Sequence, residues 1–281
     1  MLLWFLLTAA SVMFVTIDIR RTPESPVLKW GFVLLTVYTG PFGAFLYVLG
    51  CREPLPGLHE QYVAIHWRQA LGATMHCLAG DGVGILAGAV IASLLTLPPG
   101  ADIALEYALG FGFGWTVFQS LFMRGMAGGS YGRSLRDTFI PELLSMNCLM
   151  AGMVPIAAFG QRLLGTHPRP LSPEFWFLMS MALLIGFTVA YPMNAWLVAR
   201  GLKHGMMTVR PHRAAEVAGS EHGHHADLTA AGATRASAPF SHSHESSHGS
   251  RPSPARVGAM TALSLASLGS GIVIALLLGG R

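Results

Sequence analysis

The chain has 281 residues, of which 52% are apolar and only 11% are charged. A soluble domain carries about 25% charged residues, so the composition excludes an ordinary soluble domain. It also excludes global disorder, which requires low hydrophobicity and high charge. The net charge is +4, but the sequence contains no basic cluster with interleaved aromatic residues, so we predict no nucleic-acid partner. The composition indicates a polytopic helical membrane protein.

Seven apolar stretches follow one another along the chain. A spanning helix needs about 20 mainly apolar residues, and the candidates are residues 2–17, 30–50, 69–97, 104–123, 139–160, 175–199 and 258–279. No basic residue precedes the first stretch, which favours a retained helix over a cleaved signal peptide. We therefore predict an all-α fold, a polytopic transmembrane helical bundle of about seven spans in contact with the lipid bilayer.

The composition divides the chain into four parts. Residues 1–50 form an N-terminal hairpin of two spans, and residues 51–207 form a core membrane domain of four spans. Residues 208–257 are rich in Ala, Ser, Gly and His without an apolar period, which predicts a disordered linker. Residues 258–281 are an appended span. The three cysteines suggest no disulfide framework, which is consistent with a bacterial cytoplasmic membrane.

The positions of lysine and arginine predict the orientation. With a cytoplasmic N-terminus, 12 basic residues lie inside and 6 outside, as the positive-inside rule requires. Arg20, Arg21 and Lys29 oppose this orientation at the first hairpin. The sequence nevertheless favours a cytoplasmic N-terminus.

The third predicted span contains ionisable side chains. An aspartate at the centre of a span costs about 2.5–3.5 kcal/mol, so Asp81 must face a partner or water. Cys77 lies four residues before Asp81 on the same helix face, and His76 lies about 100° further round the helix. Together they are suitable ligands for a borderline or soft metal. The alternative is an interhelical hydrogen-bonding cluster in which Cys77 is merely packed.

The fifth predicted span carries a methionine stripe. Met146, Met150 and Met153 follow helical spacing, and thioether ligands select Cu(I). A stripe of this kind is also typical of gap-filling core residues. Glu142 opens the span, where it either complements the helix dipole or binds an ion at a cavity mouth. Asn194, in the sixth span, is a further candidate for a buried polar residue.

The linker is rich in histidine. Eight of the twelve histidines follow the sixth span, and a flexible histidine tract can collect Zn(II), Ni(II) or Cu(II). The candidate ligands there are His222, His224, His225, His242, His244 and His248. The spacing defines no single geometry, so the tract predicts surface capture or sensing of a metal, or else a neutral, soluble linker.

The chain resembles an uncharacterised bacterial family of membrane proteins, a domain of unknown function, over about residues 61–207. His76, Cys77 and Gly80 match a Thr-His-Cys-Gly-Ala-Gly-Cys stretch of that family, in which Asp81 replaces the second cysteine. The most specific block comprises Phe175-Trp176-Phe177, Gly186-Phe187, Tyr191-Pro192, Asn194, Trp196-Leu197, Gly201 and Lys203. The resemblance implies the membrane architecture and carries over no activity.

These patterns favour a membrane protein that handles a transition metal, copper or a related divalent ion such as zinc, as a transporter or membrane metallochaperone. One alternative is an accessory subunit of a membrane complex, with a membrane-protein partner or a second copy of the chain. Another is a membrane oxidoreductase with haem or copper. No nucleophile, phosphate-loop or zinc-protease motif is present, so neither a hydrolase nor a kinase is expected.

Overall fold

The computed structural model describes residues 1–120, 130–165, 168–206 and 252–279. These residues form nine α-helices and no β-strand, which confirms the all-α prediction. The helices are α1 Leu2–Asp18, α2 Pro26–Thr39, α3 Pro41–Gly50, α4 His59–Val63, α5 His66–Leu95, α6 Pro99–Phe113, α7 Tyr131–Leu164, α8 Pro173–Ala199 and α9 Pro254–Gly279. Five of them (α1, α5, α7, α8 and α9) are long and apolar enough to cross a membrane. Nearly all of the predicted linker, with its six candidate histidine ligands, lies outside the described residues.

Serine side chains define where three of the helices begin. Ser25, Ser130 and Ser172 each accept a hydrogen bond from a backbone N–H in the first turn of α2, α7 and α8, respectively. Such caps satisfy one of the free N–H groups that every helix start leaves. Proline follows directly in α2 and α8, at the position where its missing N–H costs nothing. Local sequence therefore sets the register in which these helices pack.

The second predicted span, residues 30–50, consists of two helices in the structure. Gly40 adopts φ 60° between α2 and α3, and Pro41 cannot extend the hydrogen-bond pattern of α2. The two helices fold back on each other, so that Gly43 of α3 lies against Thr36 of α2. With 14 and 10 residues, each is shorter than the roughly 20 residues of a spanning helix. They form a helical hairpin whose two ends lie on the same side of the bundle, the arrangement expected of a re-entrant membrane hairpin.

The base of this hairpin is fixed to the end of α1. Tyr47 Oη donates to Asp18 Oδ2 over 2.8 Å, and Arg52 Nε lies 3.0 Å from the same oxygen. The tip at Gly40 packs against the other end of α1, beside Trp4 and Thr8. The hairpin therefore runs alongside α1 for most of that helix.

Contacts along the remaining helices give their directions. Tyr191 Oη near the end of α8 donates to the carbonyl of Trp67 at the start of α5, over 3.1 Å. Gly186 of α8 packs against Gly152 of α7, and α8 is antiparallel to both α5 and α7. Since α5 and α7 therefore run in the same direction, α6 must return the chain between them. On the far side of α7, α9 runs parallel to it, and Ser264 accepts a hydrogen bond from Asn147 Nδ2 over 3.1 Å.

The re-entrant hairpin changes the predicted orientation of α1. The ends of α1, α3 and α8 and the starts of α5, α7 and α9 now lie on one side. Ten basic residues of the described chain are on that side: Arg20, Arg21, Lys29, Arg52, Arg68, Arg133, Arg136, Arg200, Lys203 and Arg256. Only Arg162 and Arg169 are on the other. From the positive-inside rule we therefore expect the first side to be cytoplasmic and the start of α1 to lie on the opposite side.

Labelling of single introduced cysteines tests this orientation. In intact cells we expect a membrane-impermeant maleimide to modify Leu171→Cys, in the α7–α8 connection, and not Arg21→Cys, at the end of α1. The three native cysteines are buried, so the unmodified chain serves as the background control. Labelling of both variants from outside would instead support one continuous span over residues 30–50.

Glycines bring α5 and α6 into backbone contact. Gly84 lies against the carbonyl of Leu109, and Gly88 lies against the backbone of Glu106. Small residues permit this close approach in lipid. One turn earlier in α5, Gly80 meets Gly114, where α6 passes into a π-helical segment, Gly114–Gln119. The close approach places this irregular backbone directly beside the polar residues of α5.

Candidate functional site

A cluster of polar side chains is buried where α5, α7 and α8 meet. Its members are Cys77, Asp81, Glu142, Ser145, Asn194 and Lys203, none of them more than 3% exposed. Burying ionisable groups within a membrane bundle is costly, and such groups usually mark a substrate or ion pathway. We call this group the Cys77 cluster.

The chain after α8 folds back to bring Lys203 into the cluster. Gly201 adopts φ 63° just beyond the helix end, a left-handed conformation that glycine adopts without steric cost. The following residues then pack along the start of α5, where Gln69 Nε2 donates to the carbonyl of Met206 over 2.9 Å. Gly72 of α5 contacts Met206 directly. A basic residue from outside the span is thereby buried among its helices.

Cys77 lies at the centre of the cluster. Its Sγ is 3.1 Å from Glu142 Oε2, 3.1 Å from Ser145 Oγ and 3.6 Å from Asp81 Oδ2. One potential ligand atom from each of Cys77, Asp81 and Glu142 lies within 4.8 Å of the others. One sulfur and two carboxyl oxygens thus converge from two helices, close enough to coordinate a single metal ion.

Lys203 supplies one positive charge to this group. Its Nζ lies 3.1 Å from Glu142 Oε2 and donates to Cys77 Sγ over 2.9 Å. It also donates to Asn194 Oδ1 over 3.0 Å. Asn194 Nδ2 in turn donates to Ser145 Oγ over 2.8 Å, so the asparagine holds Lys203 and Ser145 in fixed positions around the sulfur.

The charges within the cluster do not balance when both carboxyl groups are ionised. Asp81 and Glu142 each place a carboxyl oxygen within 4.8 Å of the other, and Lys203 compensates only one of them. Two like charges this close cannot both persist in a region of low dielectric. The second carboxylate therefore requires a proton or a bound cation.

Gly114 closes the cluster on the α6 side. A Cβ at this position would collide with Asp81 Oδ1 and would lie 3.0 Å from Glu142 Oε1. The two carboxyl groups thus occupy the space that the missing side chain leaves. Gly114 also begins the π-helical segment, a type of helix irregularity that is frequent at functional sites.

The other predicted ligands are distributed differently. His76 is buried next to the cluster with its ring 5.7 Å from that of Phe118, and it is not one of the three residues whose ligand atoms converge. Met146 packs against Gly110 of α6, and Met153 packs against Gly186 of α8. Met150 is fully buried. The structure therefore assembles Cys77, Asp81 and Glu142, and the two methionine contacts are with glycines of other helices.

The predicted linker ligands cannot be placed relative to the cluster. His222, His224, His225, His242, His244 and His248 all lie outside the described residues. Their capture of a metal stays a prediction from sequence alone.

Two members of the cluster carried no predicted chemical role. Both Ser145 and Lys203 lie within residues 61–207, which resemble the bacterial family, but no local pattern connects either residue to Cys77. Lys203 follows Cys77 by 126 positions, and only the turn at Gly201 brings them together. Asn194 was predicted to be a buried polar residue, and the structure confirms its burial.

One comparison with known proteins found a matching family. Residues 66–203 match a family described as a domain of unknown function (DUF4396), which confirms the resemblance to an uncharacterised family. The matched interval runs from the first residue of α5 to Lys203, so it contains every member of the Cys77 cluster. Neither a curated protein nor a solved structure matches the chain.

Proposed function

We propose that this protein handles a divalent transition-metal ion in a bacterial cytoplasmic membrane, as a transporter or membrane metallochaperone. The observation that carries the proposal is the convergence of Cys77, Asp81 and Glu142 within a bundle of apolar helices. Three ligand atoms at this separation match the needs of one ion. A purely structural polar contact would not require a thiol and two carboxyl groups at the same point.

The ligand set favours a borderline divalent ion such as Zn²⁺. Zinc accepts cysteine sulfur together with carboxylate oxygen, whereas Cu(I) is selected by sites made of soft sulfur ligands. The three converging residues offer one sulfur and two oxygens, and Met146 and Met153 contact other helices. This favours zinc or a similar divalent ion over Cu(I) as the substrate.

The charges favour exchange of the ion for two protons. With Cys77 as a thiol and one proton shared by Asp81 and Glu142, the remaining carboxylate and Lys203 give a net charge of zero. When a divalent ion binds, the proton of the Cys77 thiol and the proton shared by the two carboxyl groups are released. The three negatively charged ligands, the positively charged Lys203 and the divalent ion then again give a net charge of zero. Neutrality in both states avoids the cost of a net charge inside the membrane.

Metal binding by the purified full-length protein tests the proposal. After equilibration with Zn²⁺, we expect Cys77→Ser and Asp81→Asn each to lose one equivalent of bound zinc relative to the wild type. Cys148→Ser is the matched control, because Cys148 is a buried cysteine of α7 that lies outside the cluster. Retention of wild-type zinc by Cys77→Ser would contradict the proposal.

Proton release provides a second readout. In weakly buffered medium with a pH indicator, adding Zn²⁺ to the wild type should release about two protons per ion bound at this site, because metal binding requires deprotonated ligands. Cys77→Ser should lose this release, and Cys148→Ser should keep it. If cells expressing Cys77→Ser or Asp81→Asn matched the wild type in zinc content and zinc tolerance, metal handling would fail and the accessory-subunit alternative would take its place.

A further inference from the structure

A second group of metal-binding side chains lies at the base of the re-entrant hairpin. Glu24 comes from the connection between α1 and α2, Cys51 directly follows α3, and His59 is the first residue of α4. They are 4%, 0% and 1% exposed, respectively. One potential ligand atom from each lies within 4.8 Å of the others. We call these residues the hairpin-base cluster.

We propose that the hairpin-base cluster is a second binding site for a divalent ion of the zinc class. A cysteine thiolate, a histidine imidazole and a glutamate carboxylate are the three ligand types that zinc uses in proteins. Here they converge from three separate chain segments. The site stands independently of the Cys77 cluster, since the two groups share no residue.

The surrounding contacts fix the three segments in place. His59 Nε2 lies 3.7 Å from Glu24 Oε1, and the backbone N–H of His59 donates to Glu53 Oε1 over 3.0 Å. Close to Glu24, the hydroxyl groups of Thr22 and Tyr47 hydrogen-bond to each other over 2.9 Å. These contacts hold the ligands near one another and would orient them for an ion, as hydrogen bonds around metal ligands do.

The number and position of the ligands indicate an exchangeable ion. Structural zinc sites are closed by four protein ligands, whereas a three-ligand site keeps one tetrahedral position open. The hairpin-base cluster offers three, at the side where ten of the basic residues lie. An ion bound here would link the hairpin to α4 on the cytoplasmic side, because His59 begins α4, the short helix that precedes α5.

Zinc stoichiometry of the full-length protein distinguishes the two sites. Counting ions beyond any that the linker histidines bind, we expect two in the wild type and in Cys148→Ser, one in Cys51→Ser, one in Cys77→Ser, and none when Cys51→Ser and Cys77→Ser are combined. One ion in the wild type, lost in Cys77→Ser and retained in Cys51→Ser, would overturn the second site alone. One ion lost in Cys51→Ser and retained in Cys77→Ser would instead support the second site and contradict the proposed function.

Cobalt provides a measurement that does not depend on how well Cys51→Ser folds. In the Cys77→Ser protein loaded with Co²⁺, we expect a thiolate-to-cobalt charge-transfer band from Cys51. Its absence would overturn the second site, because Cys51 is the cysteine of the hairpin-base cluster. His59→Gln in the same background should weaken cobalt binding at least tenfold, and unchanged binding would count equally against the site.

Discussion

Glu142→Gln is expected to destabilise the folded protein by about 3–5 kcal/mol, the range seen when one partner of a buried ion pair is removed. The carboxylate lies 3.1 Å from Lys203 Nζ, and both side chains are about 1% exposed. Glutamine retains the shape of the side chain and removes the charge, so the Lys203 ammonium loses its ion-pair partner. Only the carboxyl group of Asp81, which forms no direct ion pair with Lys203 in the described structure, then remains to balance it. Thermal or denaturant unfolding of the purified protein in detergent, followed by tryptophan fluorescence, would measure the loss.

The double variant Glu142→Gln/Lys203→Met separates the ion pair from general damage. Because removing both charges leaves no uncompensated ion, the double variant should lose clearly less stability than the sum of the two single variants. Asp137→Asn is the matched control on the same helix, since Asp137 is exposed and a surface change stays within about 0.5 kcal/mol. Strictly additive losses would show that Glu142 and Lys203 do not interact.

Helical periodicity was sufficient to predict the part of the site that lies on one helix. Cys77 and Asp81 are four residues apart, and their Sγ and Oδ2 atoms are 3.6 Å apart in the structure. The same periodicity places His76 on a different face of the helix from Cys77 and Asp81, and the His76 ring packs beside Phe118. Relationships within one helix depend only on the regular geometry of the backbone, so the sequence specifies them directly.

The parts of the site that depend on chain reversal could not be predicted in this way. Lys203 enters the bundle because Gly201 turns the chain beyond α8, and no period connects that position to Cys77. Glu24, Cys51 and His59 all lie at helix ends or in connections, where apolar patterns carry no information on spatial neighbours. Their proximity follows from the re-entrant hairpin. From hydropathy alone, residues 30–50 are predicted to form one continuous span.

A local signal for that hairpin was nevertheless present. Gly40 is followed directly by Pro41 within the apolar stretch, and this pair is typical of a turn.

The methionine stripe shows that helical spacing predicts burial but not which residues a side chain contacts. Met146, Met150 and Met153 are buried as their period predicts, but the period does not specify which helix each one faces. Met146 faces α6 and Met153 faces α8, so burial did not produce a shared site.

Gly114→Ala is expected to abolish zinc binding at the Cys77 cluster and to destabilise the fold by about 1–3 kcal/mol, as overpacking of a close-packed interior does. The added methyl group would collide with Asp81 Oδ1 and would come within 3.0 Å of Glu142 Oε1. Neither carboxyl group can retreat without leaving the position in which it faces Cys77. An equilibrium Zn²⁺ titration together with thermal unfolding would measure both effects.

Gly112→Ala is the matched control for this change, because Gly112 lies two residues before Gly114, in the last turn of α6, and has nothing within 4 Å of its Cβ position. Alanine there should leave zinc binding unchanged and favour the helix by up to about 1 kcal/mol, the difference in helix propensity from glycine. Equal zinc affinity in the two variants would show that the ion does not bind between Asp81 and Glu142. A selective loss in Gly114→Ala would instead place it there, since the two changes differ only in whether the methyl group reaches the carboxyl pair.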